Sequence, residues 1–231
     1  LEKLPEGIGR ALIHQRAGLE QIVVNRLAAV RAVASIELSS WVFANDGVLP
    51  ITYTADGAGV SPPLEWHGAP ADAVSLALIV EDADAPTPHP LVHAIVVNLH
   101  GSDGFLAEGA LNSPDHRGFG LEQGRNSFFQ QAWLPPDPPP GHGPHRYAFQ
   151  LFALRDGTAF SEVPGRQELV DAVLSRASAA ACLIGIYERD LRETIREPDA
   201  ERAAVPNDAG AQELQGTISP GGIIAPEGAI S

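Results

Sequence analysis

Two short segments concentrate the side chains able to do chemistry. The first is Glu81-Asp82-Ala83-Asp84-Ala85-Pro86, followed closely by Pro88-His89-Pro90-Leu91-Val92-His93. The second is Pro138-Pro139-Pro140-Gly141-His142-Gly143-Pro144-His145-Arg146-Tyr147. Carboxylates beside imidazoles orient the rings and favour their protonated form near neutral pH. His and Arg donate charge-assisted hydrogen bonds, and Tyr adds a neutral hydroxyl. Such a set could hold a small anion without an arginine cluster. Ordinary turn chemistry accounts for Asp84 and Pro86. It accounts poorly for His93, the polar opening of an apolar run, HAIVVNL. For the second segment, a surface salt bridge and a Tyr-capped strand explain the residues as well as a binding site does.

Signatures of catalysis are missing. The chain has no G-x-S-x-G elbow, P-loop, H-E-x-x-H or dinucleotide fingerprint. Donors are present without an evident nucleophile–base pair, which favours binding over turnover; the chain is read as not an enzyme. Cys182, inside ACLIGIY, reads as a small buried hydrophobe rather than a nucleophile. A zinc or copper site is the chemical alternative, using His89, His93, Asp82, Asp84, His142 and His145. Their spacing matches no standard zinc motif, so no metal or other cofactor is expected. A hydrolase using His145 as base ranks lower still.

The elements around these segments follow from hydrophobic patterning. Leu38–Phe43, Ser75–Val80, Val92–Leu99, Tyr147–Leu154 and Cys182–Tyr187 read as strands set between Gly, Pro and Asp punctuation. Ser75–Val80 is continuously apolar, as a strand buried on both faces would be. In Tyr147–Leu154, the residues Tyr147, Phe149, Leu151 and Ala153 share one face. Gln167–Ala177 carries Leu169, Val170, Val173 and Leu174 on one side of a helix. Glu6 to Ser35 has helical spacing and reads as one long helix or two, broken near Gly18. From Pro198 to Ser231 the chain lacks aromatic residues and is rich in Ala, Gly, Pro and acid, so alone it buries too little to offset its ordering entropy.

Taken together, the two chemical segments resemble the signatures of the phosphatidylethanolamine-binding protein family, also called Raf-kinase-inhibitor-like proteins. The family motif D-P-D-A-P with a following His is similar to Asp82-Ala83-Asp84-Ala85-Pro86 and His93, and G-x-H-R-Y is similar to Gly143-Pro144-His145-Arg146-Tyr147. Flanking stretches agree, including Tyr53–Gly57, Ser61–Trp66, Val97–Leu99 and Gly185–Arg189. The resemblance spans about residues 38–190 and is nearest the bacterial branch. It implies a mainly β fold: an antiparallel Greek-key β-sandwich with peripheral helices over residues 36–190. Outside it lie an N-terminal helical extension (1–35) and an extended acidic C-terminal tail (191–231). It also implies an anion pocket, for phosphate or a phospho-headgroup, formed by Asp82, Asp84, Pro86, His93, Gly143, His145 and Tyr147. Arg146 is expected to pair structurally behind it, and the Ala85–Pro86 peptide to be cis. Ala83, Leu91 and Ala94 depart from the family pattern and would strip aromatic walls from the pocket. Asp137 would oppose a phosphate dianion.

Composition sets the remaining bounds. A formal net charge of −14 argues against nucleic-acid binding, which needs clustered Lys and Arg. No apolar run reaches the length of a transmembrane segment. A lone cysteine fits a reducing, cytoplasmic compartment, although the absence of Met at position 1 leaves room for a removed targeting segment. The expected function is a non-catalytic anion-binding protein that could regulate or inhibit another protein. The alternative is an accessory subunit of a larger assembly with a vestigial pocket. Partner contacts, a homodimer foremost, are expected through the apolar stripe of Glu6–Ser35 and through the tail, with docking of the stripe on the chain's own body as the alternative.

Overall fold

A computed structural model describes residues 6–112, 120–157 and 159–189. The expected tail, residues 191–231, lies outside them. Ten strands form two sheets. They are β1 (Ala34–Ser35), β2 (Glu37–Ser39), β3 (Gly47–Val48), β4 (Leu64–His67), β5 (Ser75–Asp82), β6 (Leu91–His100), β7 (Gly104–Leu106), β8 (Glu122–Gln123), β9 (His145–Leu154) and β10 (Ala177–Tyr187). The larger sheet runs β1-β10-β9-β5-β6-β8, with β3 also on β10; the smaller runs β2-β4-β7. Pairing is antiparallel through the centre, while β1 and β3 join β10 in parallel. The fold is thus mainly β with three α-helices among the described residues: α1 (Glu6–Ala11), α2 (Val23–Val30) and α3 (Arg166–Arg176).

The central strand β5 is buried along its whole length, as its unbroken apolar run predicts. Leu76, Leu78 and Val80 pack with Leu64, Trp66 and Phe149 in the core that includes the small sheet. Ala77 and Ile79 face the other way, against Val23 and Leu27 of α2 and Leu169, Val170 and Val173 of α3. The set Tyr147, Phe149, Leu151 and Ala153 shares the first core, as its alternation requires. β10 begins five residues before the expected Cys182, because Ala177–Ala181 are small enough to lie beneath the helices. Of Leu38–Phe43 only the start is strand; the Ser40 hydroxyl donates to the Pro63 carbonyl and turns the chain.

The N-terminal segment breaks where Gly18 takes φ +97°, a conformation that favours glycine. Its apolar stripe was expected between subunits of a homodimer, with docking on the same body as the alternative; Ile22, Val23 and Leu27 are covered by the chain's own body, and Val30 stays exposed. A dimer through Glu6–Ser35 would have to use other residues. The docking is partly electrostatic. α2 has no side-chain cap of its own at Ile22. The Val23 amide donates to Glu81 of β5 at 3.0 Å and the Val24 amide to the Gln150 side chain of β9 at 2.8 Å. Gln150 and Arg166 also donate to Glu81, at 2.8 and 2.6 Å, so this wholly buried carboxylate is fully paired. Glu81→Ala should therefore cost roughly 3–5 kcal/mol, because a half-buried Arg and a buried helix N-terminus lose their counter-charge. A urea titration of the variant beside the wild type measures it.

Candidate functional site

The C-terminal end of β5 and the N-terminal ends of β6 and β9 meet at one end of the large sheet. There Asp82, His93 and His145 border a pocket of about 210 Å³, closed by Pro86 on one side and by Pro135–Pro139 on the other. Sheet register fixes this meeting, since Asp82 pairs with Tyr147 on β9 and with Leu91 on β6.

Asp82 anchors the site. Its Oδ2 lies 2.7 Å from His145 Nδ1, and its Oδ1 accepts the Asp84 amide at 2.8 Å. His145 Nε2 lies 2.7 Å from His142 Nδ1, so a carboxylate and two imidazoles form one chain of contacts. His93 is held differently. Its Nδ1 donates to the Leu134 carbonyl at 2.5 Å, which leaves Nε2 as the nitrogen without a hydrogen in a neutral ring. Burial holds His93 below its ordinary pKa, although Asp82 and the Leu134 carbonyl pull the other way. Its Nε2 is buried and has no hydrogen-bond partner.

Tyr147 lies behind this wall, fully buried, with its ring edge-on to His93 at 5.1 Å and stacked on His145 at 6.4 Å. Its hydroxyl also lacks a partner. Burial, then Asp82 and Asp137, push the phenol well above its usual range, so it stays a neutral donor.

The remaining predicted residues divide. Pro86 lines the pocket. The Ala85–Pro86 peptide is trans, correcting the expected cis bond. The Ala85 carbonyl accepts the amides of Ala17 and Thr87, at 3.0 and 2.8 Å, and these bonds hold the turn in its trans form. Asp84 and Gly143 are not part of the lining. Asp84 is buried beneath the site, where Arg146 donates through Nε and Nη2 at 2.7 and 2.6 Å and Arg16 approaches to 2.9 Å. Burial alone would raise its carboxyl, but these bonds outweigh it and lower the pKa to about 2. Arg146 is thus the structural partner expected. Gly143 takes φ +89° in the turn that delivers His145.

Several contributors escaped the sequence reading. Arg189, two residues past β10, pairs with Asp56 at 2.7 Å and with Asp137. The carboxylate expected to repel a dianion therefore shares one guanidinium with Asp56, which offsets part of its charge where it lines the pocket. An aromatic wall is present too, supplied from the loop after β8: Phe128 lines the pocket and Trp133 stands 6.0 Å from His93. His89 is exposed and turns to Gln21 instead. Among the described residues no group of three or more His, Cys, Asp or Glu is placed to hold a metal ion. Burial pushes the Cys182 thiol up to about 12, which leaves it unreactive.

Comparison with known proteins shows which family the chain resembles. The family model described as phosphatidylethanolamine-binding protein matches residues 39–216. The chain belongs to the phosphatidylethanolamine-binding protein family. A UPF0098 protein of Pyrococcus abyssi is 36% identical over 160 residues, covering 67% of this chain and 85% of the relative. Among solved structures, a phosphatidylethanolamine-binding protein homologue from Chlamydia trachomatis is 34% identical with a TM-score of 0.61, covering 68% of this chain and 99% of that one. Escherichia coli YbcL, described as a member of the mammalian family, is 26% identical with a TM-score of 0.63, covering 68% and 100%. No helix among the described residues is long and apolar enough to cross a membrane.

In this family member the unpartnered Tyr147 hydroxyl has a measurable signature. A buried polar atom without a hydrogen bond costs about 1–3 kcal/mol. Tyr147→Phe should therefore leave the ligand-free protein as stable as the wild type, or more so. A thermal melt in buffer free of phosphate and carboxylate checks this, and a large loss of stability would show that the hydroxyl has a partner.

Proposed function

We propose that this chain is a non-catalytic binding protein whose pocket takes a small anion, phosphate or a phospho-headgroup, held by His93, Tyr147 and the surrounding turn. One observation carries the reading: His93, which lines the pocket, and Tyr147, edge-on behind it, each hold a buried polar atom, Nε2 and the hydroxyl, without a protein partner. Buried polar atoms in folded proteins are almost always paired, and two orphans at one pocket suit a ligand that completes them. The charges that could oppose an anion are already paired, Asp82 with His145 and Asp137 with Arg189. Asp84, Pro86, Gly143 and His145 then act as frame: Asp84 and Gly143 shape the loops, and Pro86 and His145 wall the cavity.

Binding should be linked to protonation. Burial keeps His93 neutral in the empty pocket, and an anion beside Nε2 favours the imidazolium. Ligand entry therefore takes up a proton, and affinity rises as pH falls. Acetate is the better probe because its own charge stays fixed between about pH 8 and pH 6. Its affinity should strengthen by up to about tenfold per pH unit, the limit for one proton. In calorimetry the wild type should bind phosphate and acetate, and the double variant His93→Ala, His145→Ala should bind neither. A wild type that binds neither at millimolar concentration would overturn the reading. Stoichiometric zinc or copper in the purified protein would replace it with the metal alternative.

A further inference from the structure

The segment Gly9–Gly18 ties together the two loops that carry the site. Gly9 lies so close to the Pro140 carbonyl that an added Cβ would stand 2.1 Å from its oxygen. Arg16 donates to the carbonyls of Pro144 and His142, at 2.8 and 3.0 Å, and also pairs with Asp84. The amides of Ala17 and Gly18 donate to the carbonyls of Ala85 and Ala83, at 3.0 and 2.7 Å. At the centre, His142 Nε2 sits 2.8 Å from the Leu12 carbonyl and 3.2 Å from that of Gln15.

Those two carbonyls decide the state of the histidines. A carbonyl only accepts, so His142 Nε2 must carry a hydrogen. The contact between His142 Nδ1 and His145 Nε2, at 2.7 Å, also needs one hydrogen, and so does the contact between His145 Nδ1 and Asp82. The pair of rings beside an ionised Asp82 therefore holds one proton more than two neutral imidazoles. We propose that the segment Gly9–Gly18 is a clamp that positions the anion pocket. It acts through His142, a positioning residue that locks His145 against Asp82 and fixes the pair in its singly charged state. This rests on the pocket reading above, since the clamp is a device for that site.

Undocking the segment would free His142 Nε2. The ring could then move its hydrogen to Nδ1 and donate to a neutral His145. Docking is thus coupled to uptake of one proton, and the clamp loosens as pH rises. The charged and titratable groups around the pair are Asp82 from β5, His93 from β6, Tyr147 from β9, and Arg16, Asp137 and Arg189 from the loops. Asp82 favours the extra proton, and Arg16 and a protonated His93 oppose it. Burial and His145 both hold His142 below its ordinary pKa, so the extra proton of the pair does not belong to His142 alone.

Ring nitrogen NMR on the intact chain, without ligand, tests the clamp directly. The expected spectrum near neutral pH has His142 protonated at Nε2 and one imidazolium charge shared by the pair. Two neutral rings with His142 protonated at Nδ1 would overturn the proposal. Isothermal titration with inorganic phosphate gives the second arm. Arg16→Ala and His142→Ala should each weaken binding roughly tenfold, the size of one lost hydrogen bond to a charged group. His142→Gln, whose amide can donate to the Leu12 and Gln15 carbonyls and accept from His145, should recover most of it. Unchanged affinity in both alanine variants would sink the clamp while leaving the pocket standing. A wild type that binds no phosphate would sink the pocket, and the ring spectrum would still decide the clamp. If His142→Ala fails to fold, Arg16→Ala and the wild-type spectrum carry the test.

Discussion

A carboxylate taken out of water must be paired, and β5 ends on two of them, Glu81 and Asp82, in a strand buried on both faces. Alternation sends them to opposite sides of the sheet. Glu81 meets the helical layer, where it satisfies the N-terminus of α2 and the guanidinium of Arg166. Asp82 meets the pocket, where it holds His145. Helix docking and site geometry therefore begin from neighbouring residues. A shift of one residue in the register of β5 would exchange their faces and lose both.

The site that results is nearly neutral rather than basic. Each charge around the pocket has an internal partner: Asp82 with His145, Asp137 with Arg189, and Asp84 with Arg146 and Arg16. What remains for a ligand is polar but uncharged, a phenol and an imidazole in a ring-lined hollow. On the proposed reading, recognition of an anion in such a place depends on directed hydrogen bonds and on a proton that arrives with the ligand. A cluster of arginines would bind more tightly and with less discrimination. The acidity of the whole chain is compatible with this, because the paired charges at the site contribute little field of their own.

The N-terminal segment shows how an element outside the family motifs becomes part of the site. Its apolar stripe supplies most of the docking energy: Ile22, Val23 and Leu27 are essentially inaccessible, and burying each large side chain stabilises by about 1.5–3 kcal/mol. Its polar atoms supply the direction, since Arg16 and two carbonyls reach the loops that carry Asp84 and His142.

Local patterning made much of this legible in the chain itself. Apolar runs placed β5 and β6, period-two alternation placed β9, and helical spacing placed α3 within one residue of Arg166–Arg176. The motifs named Asp82, Pro86, His93 and His145, which do line one pocket. Those successes share a cause: each depends on residues close in sequence, or on a motif that carries its geometry with it. Other features required partners far apart along the chain. Arg189, two residues past β10, pairs with Asp137 as well as Asp56, and Trp133 and Phe128 restore the aromatic wall that Leu91 and Ala94 lack. Asp84 and Gly143 looked like lining and became framework, because Arg16 and Arg146 draw that carboxylate beneath the site. The trans Ala85–Pro86 peptide and the role of His142 follow from hydrogen bonds to the N-terminal segment, more than a hundred positions from His142. Sequence determined which groups were available and which way the strands faced them. Only the packed structure decided which charges cancel and which polar atoms are left for a ligand, because that depends on what burial brings together.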